Sequence, residues 1–375
     1  HLGHVRWAAV GDAIARVLAA AGADVTREFY INDRGVQMDL FAASIMAHAH
    51  GNDVPADGYH GDYVAELAKR IVAERPDILE LPYEEQRAAF REEGYRLQLA
   101  DQRSELERFR VHFDVWYSER SLHDRGKVEH GLDVLRTKGH VFEADGALWM
   151  RTTDFGDDKD RVLVKRDGEY SYFASDTAYY VDKRERGFDV NIYLLGADHH
   201  GYVGRLKAMA ACAGDDPDVN IEVLIGQLVK IMVGGEEVKL SKRAGTMVTL
   251  AEVVDMAGID PLRYTLSRYP GDSPLTVDIE QITRQTSENP VFYVQYAHAR
   301  IASLLRNAAD LGAVRGDDFD PSLLKHPNEH ELLKALAEFP QVVATAAQLR
   351  EPHRIAGDER QVRPAAATLA EHAEG

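Results

Sequence analysis

The sequence predicts an α/β protein: a doubly wound nucleotide-binding core with a helical insertion, followed by a separate all-α domain. Three observations carry this. A helix-spaced opening segment runs directly into a β-rich strand. A continuous apolar run at Asn191–Leu195 leads into the glycine-bounded loop Gly196-Ala197-Asp198-His199-His200-Gly201 and then a helix. Beyond Ser287 the pattern is helical throughout. Strand, glycine-bounded loop and helix form the ligand-binding edge of open α/β sheets, at the carboxyl ends of the strands.

In chain order, Ala9/Val10, Ala13/Ile14, Val17/Leu18 and Ala21 recur at helical spacing, and Gly22 supplies a stop. Val25 to Ile31 reads as a strand ending in the turn cluster Asn32-Asp33-Arg34-Gly35. From about Gly51 to Gly146 the chain is charged and largely helical, punctuated by Pro55, Pro76 and Pro82. It shows none of the short apolar runs of a parallel sheet. Strands are expected at Arg161–Val164 and Tyr170–Ala174, then at the buried run Asn191–Leu195, with a helix from Tyr202 to about Ala213. Ile221–Ile225 and Lys230–Val233 follow as strands, and Gly234-Gly235 turns the second back toward Val238-Lys239-Leu240. Thr249-Leu250-Ala251-Glu252 has capping-box spacing, and Asp260-Pro261 offers an N-cap followed by proline at the first helical position. In the last domain Val294, Ala297, Ile301 and Leu304/Leu305 share one helical stripe. The ranges expected are 1–50 and 151–230 for the two halves of the core, 51–150 for the insertion, 231–285 for a loop-bearing connection, and 286–375 for the helical domain.

Composition narrows the function. At 375 residues and 45% hydrophobic, the chain can bury a sizeable core and divide into two or three domains. No apolar run reaches the roughly 18 residues of a membrane span, so no membrane partner is expected, and the default location is the cytoplasm. The single cysteine, Cys212, excludes an internal disulfide and a thiolate zinc cage built from this chain alone. A net charge of −18 means that any nucleic-acid contact must come from local basic patches.

Two motifs bear on chemistry. His1-Leu2-Gly3-His4 opens the first helix. Its histidines can donate to phosphate oxygens, its glycine allows close approach, and the free N–H groups of the helix add a positive dipole end. Taken alone it also reads as a solvated, histidine-rich terminus. Lys239-Leu240-Ser241-Lys242-Arg243 leaves the hairpin as a basic loop able to reach the β- and γ-phosphates of a nucleotide and neutralise charge as pyrophosphate leaves. Alone it reads as a solvated basic turn.

In order and in combination these motifs resemble the HIGH-type and KMSKS-type motifs of class I aminoacyl-tRNA synthetases. Gly3-His4-Val5-Arg6 leading into Gly11-Asp12-Ala13, the strand ending Tyr30-Ile31-Asn32-Asp33-Arg34-Gly35, and Asn289-Pro290-Val291-Phe292-Tyr293-Val294-Gln295-Tyr296-Ala297-His298-Ala299-Arg300 narrow the resemblance to the arginyl-tRNA synthetases, from residue 1 to about 350. The resemblance implies a Rossmann-type catalytic domain and an α-helical anticodon-binding domain. The activity implied is activation of L-arginine by ATP to arginyl-adenylate, then transfer to the terminal adenosine of tRNA(Arg). His1, His4, Lys239, Lys242 and Arg243 would be catalytic, with Gly3, Gly196, Asp198 and Ser241 completing the ATP site. Asp198 matches a position that accepts from the ATP ribose, with Gly196 giving room beside it.

Glu119, Tyr172 and Asp176 match residues that surround the substrate guanidinium. The physics agrees, since carboxylates pair bidentately with guanidinium and tyrosine supplies an oxygen and a ring face. His199 falls where the family often has a glutamine touching substrate, and Asn32, with Asp33 and Gln37, is placed near the substrate's backbone groups. Tyr296 and Arg300 are the tRNA candidates, Tyr296 by stacking and Arg300 by phosphate contact, with core packing an equal alternative for the tyrosine. Magnesium is expected to accompany ATP, held mainly by phosphates. Zinc is not expected, since adjacent histidines in one loop rarely ligate one ion.

The chain begins after the position of an asparagine that the family carries before its first motif histidine, and the family's N-terminal tRNA-elbow domain is also expected to be missing. Many arginyl enzymes lose the second lysine of the basic motif; Lys242 keeps it. The remaining readings are a class I synthetase for another amino acid, against which Glu119, Tyr172 and Asp176 argue, and a non-catalytic tRNA-binding relative. A monomer is expected.

Overall fold

A computed structural model describes residues 2–238, 249–286, 289–313, 316 and 320–357, with the side chains of residues 2–4 left out of the description. The element order is α1 (Leu2–Ala20), β1 (Glu28–Ile31), α2 (Val36–His50), α3 (Asp62–Glu74), α4 (Tyr83–Arg108), β2 (Val115–Ser118), α5 (Glu119–Asp124), α6 (Lys127–Lys138), β3 (Val141–Ala144), β4 (Ala147–Met150), β5 (Arg161–Val164), α7 (Tyr172–Glu185), β6 (Asn191–Gly196), α8 (Val203–Cys212), β7 (Ile221–Gly226), β8 (Val229–Val233) and β9 (Glu236–Glu237). Beyond residue 249 come α9 (Leu250–Ala257), α10 (Ile259–Ser267), β10 (Leu275–Asp278), α11 (Ile279–Thr283), α12 (Pro290–Asp310) and α13 (Pro327–Leu349). No described helix is long and apolar enough to cross a membrane.

The site is positioned by two parallel pairs, β1 with β2 and β6 with β7, in registers Tyr30↔Tyr117 and Leu194↔Leu224. Their shared core runs through Tyr117, Leu122, Leu132, Leu163, Phe173, Tyr180, Leu206 and Met209. A second core joins α1 to α9, α10, β8, β10 and α11, and a third holds α2, α3 and α4 together around Phe41, Ile45, Leu67 and Phe90.

Helix α1 is fixed by polar groups as well as by packing. Buried Arg6 donates to the carbonyls of Ser273 (2.5 Å) and Pro270 (2.7 Å), and Trp7 Nε1 donates to Leu195 O at the end of β6 (2.8 Å). Buried Asp12 accepts from Arg16 (2.7 Å), Arg27 (3.3 Å) and Arg263 (2.6 Å). Burial alone would push its carboxyl up, but the donors from Arg16 and Arg263 hold it below the usual carboxylate range. Close approach also dictates Gly226, because a Cβ there would meet Trp7 Nε1 at 2.5 Å.

Three local expectations are corrected. The stretch read as lacking sheet-forming runs holds β2, whose four residues pair with β1 in the core. Tyr170–Ala174 is not a strand: only Tyr170 bridges to Val164. Ser171 then N-caps α7, its Oγ accepting from Ala174 N at 3.2 Å, so local capping won over the aromatic β-propensity of the segment. Asp260 is not an N-cap, because Gly258 takes that position and α10 starts at Ile259. The capping box at Thr249 and Glu252 is present. On α12 the apolar stripe is poorly covered, with Ile301 43% and Leu305 64% exposed and Val291 the buried residue.

Candidate active site

The carboxyl ends of the four parallel strands converge on the candidate residues. Asn32 and Asp33 follow β1, Glu119 follows β2, Gly196 closes β6 with Asp198 and His199 just beyond, and Gly226 closes β7. Asp176 enters from the second turn of α7.

The carboxylates here do different things. Asp33 is buried and already occupied: it accepts from Ser118 Oγ (2.6 Å) and from Arg120 N (2.9 Å), pinning the start of α5 to the end of β1. Glu119 is buried beside it, yet among the described residues its carboxylate has no hydrogen-bond or ion-pair partner. Burial pushes its carboxyl above the usual range. Arg34 draws it down, while Asp176 and Asp33 raise it further. Asp176 accepts a hydrogen bond from the Tyr202 hydroxyl and, among the described residues, has no cation within ion-pair distance. Its carboxyl is also pushed up, first by desolvation, against the lowering effects of the Tyr202 bond, Lys183, Arg205 and His199.

Other expected residues are placed more loosely. Tyr172 opens α7, one turn before Asp176, and is 80% exposed with no ring or hydrogen-bond contact among the described residues. His199 is exposed. It lies 3.5 Å from Asp198, edge-on to Tyr202, and it acts electrostatically on Asp176. Asp198 is exposed, and a Cβ at Gly196 would meet its Oδ1 at 2.6 Å, so a side chain there would displace the Asp198 carboxylate. Asn32 is exposed, and Gln37 accepts from Tyr59 Oη at 2.8 Å. His1, Lys239, Ser241, Lys242 and Arg243 lie outside the described residues; Gly3 and His4 are on α1, with their side chains outside the description. Tyr296 and Arg300 form an i,i+4 pair on α12, Arg300 donating to the Tyr296 hydroxyl at 2.9 Å with its guanidinium over the ring.

Sequence reading missed several groups around Asp176. The sequence pattern marks Tyr202 only as a helix start. Lys183, two turns beyond Asp176 on α7, places its ammonium 4.0 Å from the Tyr179 ring centre and 3.8 Å from that of Tyr193. Burial pushes it down to about 7, with Glu28 pulling it back up and Arg186 pushing it lower. His123 was also missed; it contacts Ser175 Oγ at 3.0 Å and Arg34 at 3.4 Å. The i,i+4 spacing from Glu119 to His123 was the available signal.

The family description "tRNA synthetases class I (R), catalytic domain" matches residues 1–264, so the strand-end cluster falls inside that domain. The chain belongs to the class I arginyl-tRNA synthetase family. A DALR anticodon-binding domain matches residues 294–368, the segment that carries Tyr296 and Arg300. The arginine–tRNA ligase of Frankia alni is 59% identical over 95% of this chain and 64% of its own length. That of Micrococcus luteus is 57% identical over 95% and 63%. The chain thus spans a little under two thirds of these curated relatives. Among solved structures, one from Campylobacter jejuni assigned to the arginyl-tRNA synthetases superposes with a TM-score of 0.88 at 29% identity, over 99% of this chain and 82% of that one. The Thermus thermophilus arginyl-tRNA synthetase shares the fold, with a TM-score of 0.74 at 22% identity over 98% and 71%.

Proposed function

We propose that this chain carries the arginine-activating core of an arginine–tRNA ligase. In this reaction the arginine carboxylate attacks the α-phosphorus of ATP, giving arginyl-adenylate and pyrophosphate. The 3′-terminal adenosine of tRNA(Arg) then takes the arginyl group and AMP leaves. The observation that carries the reading is the contrast among the buried carboxylates. Asp33 is occupied and Asp12 is saturated by arginines, whereas buried Glu119 and half-buried Asp176, the second adding negative charge beside the first, make no ion pair among the described residues. Two desolvated carboxylates without an ion-pair partner are costly while charged, and a guanidinium satisfies both through its fork of donors.

In this reading Glu119 and Asp176 hold the guanidinium, Tyr202 orients Asp176, and Tyr172 closes over the substrate from the exposed end of α7. Asn32 and His199 approach the substrate's backbone groups. Gly196 and Asp198 receive the ribose. The α1 N-terminus with Gly3, His1 and His4, and the basic loop with Lys239, Ser241, Lys242 and Arg243, stabilise the phosphates. Magnesium enters with ATP through phosphate oxygens. Among the described residues no three histidine, cysteine or carboxylate groups converge as a protein cage. Tyr296 and Arg300 present a ring face and a cation to tRNA. A cytoplasmic monomer belongs to the same proposal.

Arginine-dependent exchange of pyrophosphate into ATP, with and without tRNA(Arg), tests the reading in the full-length protein and its Asp176→Ala variant. Exchange restricted to arginine and lost in the variant is expected; equal exchange with another amino acid, or none with tRNA present, would defeat the proposal.

A further inference from the structure

The two carboxylates of this reading stand on different helices, Glu119 at the start of α5 and Asp176 in α7, so something must set their spacing. His123 lies one turn after Glu119 on α5, and its Nε2 is 3.0 Å from the hydroxyl of buried Ser175, the residue before Asp176. The same nitrogen is 3.4 Å from the Arg34 guanidinium, on the loop after β1. The Ser175 hydroxyl, which can donate or accept, pairs with Nε2 in either tautomer, and the longer Arg34 contact is the weaker of the two because one imidazole lone pair does not serve two donors fully. One half-buried ring therefore ties α5, α7 and the β1 loop, the three segments bearing Glu119, Asp176 and Asn32. On its outer side the ring meets Tyr170 at 6.1 Å between centroids, and the Tyr170 hydroxyl donates to Glu129 of α6 at 2.7 Å.

We propose that His123 is a positioning residue which fixes the spacing of Glu119 and Asp176, and with it the fit of the guanidinium, by holding the two helices together through Ser175. The inference rests on the functional reading above. The Ser175 link survives either protonation state, because its hydroxyl donates to a neutral Nε2 or accepts from a protonated one, whereas the Arg34 contact needs the neutral ring. The charges facing the ring are Arg34, Glu129 of α6 and Asp124 of its own helix. Burial and Arg34 keep it below the ordinary histidine range, while Glu129 and Asp124 act the other way.

The test is steady-state exchange kinetics on the full-length protein for wild type, His123→Phe, Ser175→Ala, the double variant and His123→Gln. Loss of one such hydrogen bond is expected to raise KM for arginine about tenfold with little change in kcat and none in KM for ATP. The two single changes should not add, since they break the same link. His123→Gln, which keeps a hydrogen-bonding side chain, should restore KM near neutral pH. If His123→Phe fails to fold, Ser175→Ala, which removes one hydroxyl, carries the same prediction. Wild-type KM in His123→Phe or Ser175→Ala, additive effects, or no recovery of KM in His123→Gln would overturn the inference. Wild-type protein without arginine-dependent exchange would instead defeat the functional reading and this inference with it.

Discussion

Two groups of buried carboxylates in this fold have opposite surroundings. Beneath α1, Asp12 is met by Arg16, Arg27 and Arg263, and burial is fully compensated. At the strand ends, Glu119 and Asp176 are desolvated and lack a described cationic partner. The first arrangement joins elements 251 residues apart into one body. The second leaves two desolvated carboxylates without an ion pair, a cost that the proposed guanidinium would relieve. Residue type alone does not separate a structural carboxylate from a functional one; the partner does.

The contrast can be broken experimentally. Asp12→Ala takes the carboxylate partner from the largely buried Arg263, while Arg27 keeps Asp114 and Arg16 is exposed, and is expected to cost about 3–5 kcal/mol in denaturant unfolding, with arginine recognition in the surviving folded fraction unchanged. Asp176→Asn should do the reverse. Arginine-dependent kcat/KM should fall roughly 10²–10³-fold, while the melting temperature of the ligand-free protein stays level or rises, because a desolvated charge has been removed.

Acidification should separate the two regions as well. Asp176 and Glu119 are raised from ordinary values of 3.8 and 4.5, whereas Asp12 is lowered from 3.8. On lowering the pH, arginine binding is therefore expected to be lost above the ordinary carboxylate range, while the Asp12 clamp persists until the pH falls through its depressed value. Calorimetry of arginine binding beside circular dichroism over one pH series checks the order of events; simultaneous loss would contradict it.

Lys183 offers a smaller effect of opposite sign. Its folded value of about 7 lies below the ordinary 10.5, so between them the unfolded chain holds a proton that the folded chain has released, and this group makes stability rise with pH. Lys183→Met should flatten that rise between pH 7 and about pH 9 in denaturant midpoints.

How much of this was legible in the sequence depended on whether the signal was local. The α1 helix, the strand at Asn191 and the capping box at Thr249 are set by adjacent residues and were readable. Glu119 and Asp176 were found through the resemblance, because nothing in a Tyr-x-x-x-Asp pattern marks a carboxylate left without a partner. Strand β2 was missed because four residues, Val115–Ser118, carry too little pattern amid charged helices, although their pairing with β1 places Glu119. Tyr202 is 26 residues from the Asp176 it bonds, and His123 is 52 from Ser175. Such contacts belong to the fold and have no trace in local spacing. Tyr170–Ala174 misled because its aromatics favour a strand, while the Ser171 hydroxyl caps a helix.

The claim that Glu119 and Asp176 receive a positive charge is tested most directly by comparing L-arginine with citrulline, its neutral urea analogue, in calorimetric titrations of wild type and Asp176→Asn. The account predicts that wild type binds arginine roughly 100-fold or more tightly than citrulline, and that the gap collapses in the variant. Equal binding of the two ligands by wild type would contradict it.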